Sequence, residues 1–162
     1  MNLFNLKHLM HLEEKYRGQP NCFEKIVAQF PAFCKKVCAY FTVSDLKYLH
    51  KSGRLGGAAA FIGSVLDIKP IITTSEDGKL VTLTKKKGRL QSMQFIASQV
   101  AKIDPDFSEV YIIHADCAKD AEILKQKVLE INGTVNVEIL NMGFIIGTHT
   151  GPGTLGLGFK AK

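Results

Sequence analysis

The sequence predicts an α/β domain, with α+β as the alternative, built on a mixed β-sheet flanked by helices. Three observations carry that expectation. From Val110 onward the pattern runs strand, helix, strand ("VYIIHA", "DCAKDAEILKQKVLEING", "VNVEIL"), which permits a parallel pair joined by a right-handed crossover. The stretch 69–84 reads as a hairpin, "PIITT" and "KLVTLT" around the turn Asp77-Gly78, so its strands must be antiparallel. The first 36 residues carry helical spacing only.

Apolar residues at 3, 6, 9, 10 and 12 make a helix of Leu3 to Tyr16, and "RGQPN" ends it with Gly and Pro. A second helix starts at Asn21, a candidate N-cap, with Phe23, Ile26, Val27, Phe30 and Phe33 on one side; Pro31 should kink or shorten it. "VCAYFTV" (37–43) is short, β-branched and aromatic, and reads as a buried strand. "SDLKYLHKSG" opens a helix with a cap and closes it at Gly53. Small residues from Gly56 to Ala60, followed by Phe61, Ile62, Val65 and Leu66, suggest a further helix that something approaches closely. After "KKKGR", a helix spans Leu90 to Ile103, and "DPDFSE" is a loop. Asp116 is the N-cap candidate of the helix that ends before Gly133. The apolar runs "NMGFII" and "TLGLGF" then flank a loop, "GTHTGPG" (147–153); Phe144, Ile145 and Leu155 are assigned to the core.

With 162 residues, 46% hydrophobic and 22% charged, the chain has the size and composition of one ordinary globular domain. No apolar run approaches the roughly 20 residues of a membrane span, so no stable membrane insertion is expected. The N-terminus lacks the layout of a signal peptide, because His8, His11 and two glutamates interrupt it; a cytoplasmic location is expected. The four cysteines include one close pair, Cys34 and Cys38, which a helical turn could bring together, without a second pair at zinc-finger spacing. Reduced thiols and no metal are expected. The net charge of +6 comes from small, scattered clusters without interleaved aromatics, which argues for a solvated basic surface or an anionic ligand rather than nucleic acid.

Three motifs carry candidate chemistry. In "GTHTGPG" the glycines clear the backbone for a ligand, exposed amides with the hydroxyls of Thr148 and Thr150 and the backbone at Gly151 could cradle a carboxylate or phosphate, and His149 could donate to an oxyanion. The alternative is a structural turn; the stretch is neither a Walker loop nor a Rossmann opening. Arg54 in "KSGRLGG" could clamp an anion bidentately or be a helix-terminal surface residue. "KKKGR" precedes a helix, so it reads either as an anion site or as a solvated charge run. His8, His11, His50 and His114 have no second ligand at metal spacing, and Ser64 does not sit in a hydrolase elbow.

Taken together, "FTVSDLKYLHKSGRLGGAAAFIGSVLDIKPIIT", "DGKLVTLTKKKGR" and "IIGTHTGPGTLGLGF" closely resemble the DegV family of bacterial fatty-acid-binding proteins, from Val37 onward. The resemblance implies residues 1–36 as a helical connecting segment and 37–162 as a C-terminal lipid-binding domain, with the family's N-terminal domain lacking a counterpart before Met1. It implies a long-chain fatty acid as ligand, no cofactor, no catalysis by the chain itself, and a partner kinase that phosphorylates the presented carboxylate. A separate N-terminal DegV domain is a further implied partner. The family's site residues fall on Arg54 and His149, and its third basic residue on Lys87, where lysine keeps the charge but loses the planar fork. Two rival readings stand beside this one: an enzyme or binder acting on a small phosphorylated or carboxylated metabolite, and an interaction module that has lost its ligand.

Overall fold

The computed structural model describes residues 3–54, 67–75 and 77–162. Its elements are α1 (Leu3–Tyr16), α2 (Cys22–Lys36), β1 (Val37–Thr42), α3 (Lys47–Lys51), β2 (Ile68–Thr74), β3 (Leu80–Lys87), α4 (Gly88–Ser98), β4 (Glu109–His114), α5 (Ala118–Ile131), β5 (Asn136–Asn141), α6 (Phe144–Thr150) and β6 (Leu155–Lys160). The six strands form one mixed sheet in the order β3-β2-β1-β6-β4-β5. Only β4 and β5 are parallel, joined through α5; the 68–87 hairpin and both partners of β6 are antiparallel. Both expectations about strand direction therefore hold.

Helices α4 and α5 cover one face. Met93, Ile96, Ala97 and Val100 follow helical spacing along α4 and the turn after it, and Ala121, Leu124 and Val128 do so along α5. They pack against Ile71 of β2, Val110 and Ile112 of β4, and Leu155, Leu157 and Phe159 of β6, alternate residues along the last two strands. Fully burying one such aliphatic side chain contributes about 1.5–3 kcal/mol, so this layer is the main source of stability. A smaller cluster, Val43, Leu49 and Ile72 with Phe41, Leu46 and Leu80 packed against it, seats α3 on the opposite face.

Several local expectations need correction. The stretch read as a loop is helical as far as Thr150, so only Gly151-Pro152-Gly153 turns. Phe144 and Ile145 are not core: they are 85% and 78% exposed, whereas Leu155 is fully buried. The apolar side drawn along α2 is only partly covered, with Phe23 and Val27 exposed, Ile26 and Phe30 half-buried, and Phe33 buried against Phe107 at a ring separation of 5.9 Å. Pro31 lies inside α2 without ending it. Asn21 does precede α2, yet with φ 56° and no side-chain cap bond. Cys117, not Asp116, occupies the cap position of α5, and Asp116 before it has a left-handed φ of 52°. The helix expected from Leu90 begins at Gly88, and its last part, Gln99–Lys102, tightens into a 3-10 turn. Cys34 lies in α2 and Cys38 in β1, so no single helical turn joins them, and all four cysteines are free. The expected helix of small residues, and Ser64 within it, lie outside the described residues.

Candidate functional site

The strand register brings the motif-bearing segments to one end of the sheet. Thr42 at the end of β1 pairs with Leu155 at the start of β6, which pairs with His114 at the end of β4, which pairs with Asn141 at the end of β5. Phe41 pairs with Ile72, so the start of β2 and the end of β3, Ile68 paired with Lys87, project beyond that same row. From this end α3 follows β1 and α6 follows β5. Ligands of open α/β sheets commonly bind in crevices beyond such strand ends.

His149 sits in the last turn of α6, half-buried. Three and four residues before it, Ile146 and Ile145 occupy neighbouring positions on the helix surface, and together with Phe144 they are exposed. A ring able to donate a hydrogen bond thus stands at the edge of an exposed apolar patch. Thr148 is exposed and its hydroxyl donates to the Ile145 carbonyl at 2.8 Å. Thr150 is buried, and its hydroxyl bonds back to the Ile146 carbonyl at 3.1 Å. Both hydroxyl protons are therefore engaged within α6, leaving oxygen lone pairs for other donors.

The glycines at 151 and 153 make room for the protein's own side chains. Gly151, at φ 81°, lies under the ring of Tyr48: a β-carbon there would come within 2.3 Å of Tyr48 Cδ2. Gly153, at φ 78°, faces Ser44, whose Oγ would be 2.0 Å from a β-carbon. Their amides are spoken for as well, Gly151 N donating to the Gly147 carbonyl and Gly153 N to the Ala115 carbonyl, each at 2.7 Å. What comes close to the turn is the protein's own α3 segment, in a backbone conformation that only glycine adopts readily.

Arg54 follows α3 and is exposed. Its amide closes the helix on the Leu49 carbonyl at 2.9 Å, and its Nη1 donates to the Ser52 carbonyl. The Ser52 hydroxyl in turn points between the carbonyls of Leu49, 3.3 Å away, and His149, 3.5 Å away. Arg54 and His149 are thus connected through one residue. Lys87 is contributed by the edge strand β3 and is exposed; no hydrogen bond links it to Arg54 or His149 among the described residues. The surroundings are basic, with Lys69 Nζ donating to the Ser44 carbonyl at 3.1 Å. The bond from Lys47 holds the Asp45 carboxyl below its ordinary range. Ser44, Tyr48 and Ser52 were not singled out from the sequence. Only Tyr48 lies within α3, with Ser44 before it and Ser52 at its end, and nothing local says what the three meet.

Among the described residues no group of three or more metal-ligating side chains is found. His114 is buried, and its Nδ1 accepts from the Cys117 amide at 3.4 Å. Burial pushes the Cys117 thiol up, against the lowering effect of Arg89, so it is held as the thiol. No described helix is long and apolar enough to cross a membrane.

A model of a family described as uncharacterised proteins, the DegV family, matches residues 4–162. A DegV domain-containing protein of Clostridium perfringens is 38% identical over 126 residues, 76% of this chain and 43% of that protein. One from Staphylococcus aureus is 32% identical over 160 residues, 97% of this chain and 54% of its own length. The chain therefore spans about half the length of these relatives. Among solved structures, a fatty acid binding DegV family protein of Streptococcus agalactiae superposes with a TM-score of 0.81 at 26% identity, over 98% of this chain and 55% of that one. A Thermus thermophilus DegV family protein, described by its fatty acid binding, gives 0.83 at 25%, over 98% and 56%. The fold alone is shared with the Streptococcus pneumoniae fatty acid kinase B3 protein loaded with linoleic acid, at 0.82 and 20% identity, over 98% and 55%. The match to the family model over almost all of its length, together with these relatives, means that the chain belongs to the DegV family.

Proposed function

We propose that this chain is a non-catalytic fatty-acid carrier domain that holds a long-chain fatty acid with its carboxylate at the Arg54 and His149 rim. Residues 37–162 are the lipid-binding domain and residues 1–36 a helical connecting segment. The single observation that carries the reading is the juxtaposition on α6: His149, a donor for a carboxylate, beside the exposed side chains of Phe144, Ile145 and Ile146. An amphiphile is the ligand whose two ends fit those two surfaces. Similarity to proteins described by their fatty acid binding supports the same assignment. Lys87, the hydroxyls of Thr148 and Thr150 and the Gly151 backbone complete the proposed polar end, Lys87 as a point charge rather than a fork. The hydroxyls take part as acceptors, and a protonated carboxyl or an intervening water is what they would meet.

The implied location is the cytoplasm, and the implied partner is a fatty acid kinase that receives the carboxylate; the Streptococcus pneumoniae protein of the same fold is named for such a kinase. A complementary N-terminal DegV domain is proposed as a second partner, because an acyl chain gains about 0.8 kcal/mol per CH₂ only where water is excluded. The experiment is native mass spectrometry of the purified chain, followed by denaturing release and identification of small molecules. A released fatty acid, or one acquired after addition of an N-terminal DegV domain, is the expected result. A chain that carries no lipid in either condition overturns the reading.

A further inference from the structure

The segment 44–52 around α3 and the turn after His149 meet in a matched register. Ser44, Tyr48 and Ser52, spaced by four, contact Gly153, Gly151 and His149, spaced by two in the opposite direction. Ser44 Oγ donates to the Gly153 carbonyl at 3.3 Å, the Tyr48 ring covers Gly151, and the Ser52 hydroxyl approaches the His149 carbonyl. The middle contact is the broadest, since a methyl at 151 would come within 2.7 Å of three atoms of the ring; the Ser52 contact is the longest.

Helix α6 needs such support. It has seven residues, fewer than an isolated helix requires, and its first turn projects Phe144 and Ile145 outward instead of burying them. Its C-terminal end is where it is fixed: by the Tyr48 ring, and by the Thr154 hydroxyl donating to the Gly151 carbonyl at 2.7 Å. The ring is therefore well placed to set the direction in which the last turn, and with it the His149 imidazole, points.

We propose that Tyr48, assisted by Ser44 and Ser52, is the positioning residue of the His149 rim, and that α3 couples Arg54 and His149 into one carboxylate-recognising unit. The coupling runs from the Arg54 guanidinium to the Ser52 carbonyl and from the Ser52 hydroxyl to the His149 backbone. The ligand assignment rests on the fatty-acid reading, while the brace itself does not. Flat aromatic packing over Gly151 is what the position requires, so Tyr48→Phe should preserve it and Tyr48→Ala should release it.

Two readouts on the full chain separate the two claims. Amide hydrogen exchange tests the brace without lipid: Tyr48→Ala speeds exchange at Gly151 about tenfold or more relative to β4, and Tyr48→Phe does not. Ser52→Ala, a milder change, speeds it less. Unchanged exchange in a folded Tyr48→Ala protein overturns the brace. Binding of palmitic acid against its methyl ester tests the coupling: Tyr48→Ala weakens the acid about ten- to hundredfold and leaves the ester unchanged. Equal loss for acid and ester means general loosening and overturns the positioning role, as does no loss of either. Should the unaltered chain bind neither compound alone or with an N-terminal DegV domain, the carrier reading and the carboxylate coupling both fall, and the exchange result still decides the brace.

Discussion

Arg89, in the first turn of α4, reaches across to the first turn of α5, where its Nε donates to Asp120 Oδ2 at 2.8 Å. The same guanidinium places Nη2 3.5 Å from Cys117 Sγ and leaves Nη1 buried without a hydrogen-bond partner among the described residues. The pair is mostly but not fully removed from water, with side-chain exposures of 21% and 32%. It ties together the two helices that form the main core.

Removing the carboxylate should cost more than removing the guanidinium. Asp120→Ala leaves a largely buried cation unpaired and is expected to cost about 1–3 kcal/mol, between the surface and fully buried cases. Arg89→Met leaves the Asp120 carboxylate unpaired, but that group is the more exposed of the two, and Met fills similar space, so its cost should be smaller. Urea unfolding of both variants checks the order, and a larger loss for Arg89→Met would show that the guanidinium itself stabilises this junction.

The elements that could be read from the sequence are those whose signal is local. The strands at 37–42, 109–114 and 136–141 are β-branched or aromatic, and the hairpin announces its turn at Asp77-Gly78. β6 is central, yet the glycines of "LGLGFK" break the alternation that marks a strand, and its pairing with β1 and β4 comes from distant segments. α6 is rich in β-branched residues and glycine, poor helix formers, and the two flanking contacts that shape its end come from residues about a hundred positions earlier. The motif could therefore be located from the sequence, but the reason for its glycines, the approach of Ser44 and Tyr48, could not.

Alkaline conditions should destabilise the fold through two core tyrosines. Burial is the main cause that pushes Tyr40 up to about 12, and burial likewise pushes Tyr111 up to about 12. Below the ordinary tyrosine value of 10.0 both are neutral in the folded and unfolded chain, so their contribution is complete. Between that value and about 12 the unfolded chain loses protons that the folded one keeps, and stability falls. Unfolding measured against pH, with phenolate absorbance as the probe, should show this decline. Tyr40→Phe and Tyr111→Phe should each flatten it, and an unchanged slope in both would contradict the assignment.

Acid acts through Asp104. Its carboxyl is held below the ordinary aspartate value of 3.8, first by the bond from Lys160 Nζ at 2.6 Å and then by the Asp106 amide at 3.1 Å. The contribution is complete above that value and is lost as pH falls through the depressed folded value. The contact joins the loop before β4 to the end of β6, which the backbone bond from Asp104 N to the Lys160 carbonyl at 2.9 Å also does. Asp104→Asn should therefore fold at neutral pH with lowered stability and a shallower acid limb. Thermal unfolding across the acid range measures it, and a limb as steep as in the unaltered chain would assign the acid sensitivity elsewhere.

The apolar tip of α6 separates ligand binding from stability. Phe144 is 85% exposed, so Phe144→Ser removes little buried surface and should change the unfolding free energy by less than about 0.5 kcal/mol. In the carrier reading, the same substitution removes an apolar surface next to the carboxylate donor and should lower fatty-acid occupancy. His149→Ala should lower it by a different route, weakening the acid while sparing the methyl ester, because it removes a donor rather than apolar area. Occupancy by native mass spectrometry, beside thermal unfolding of each variant, distinguishes the two contributions. If Phe144→Ser lowers the melting temperature and leaves occupancy intact, this face supports the fold rather than the lipid, and the acyl chain must be sought along another surface.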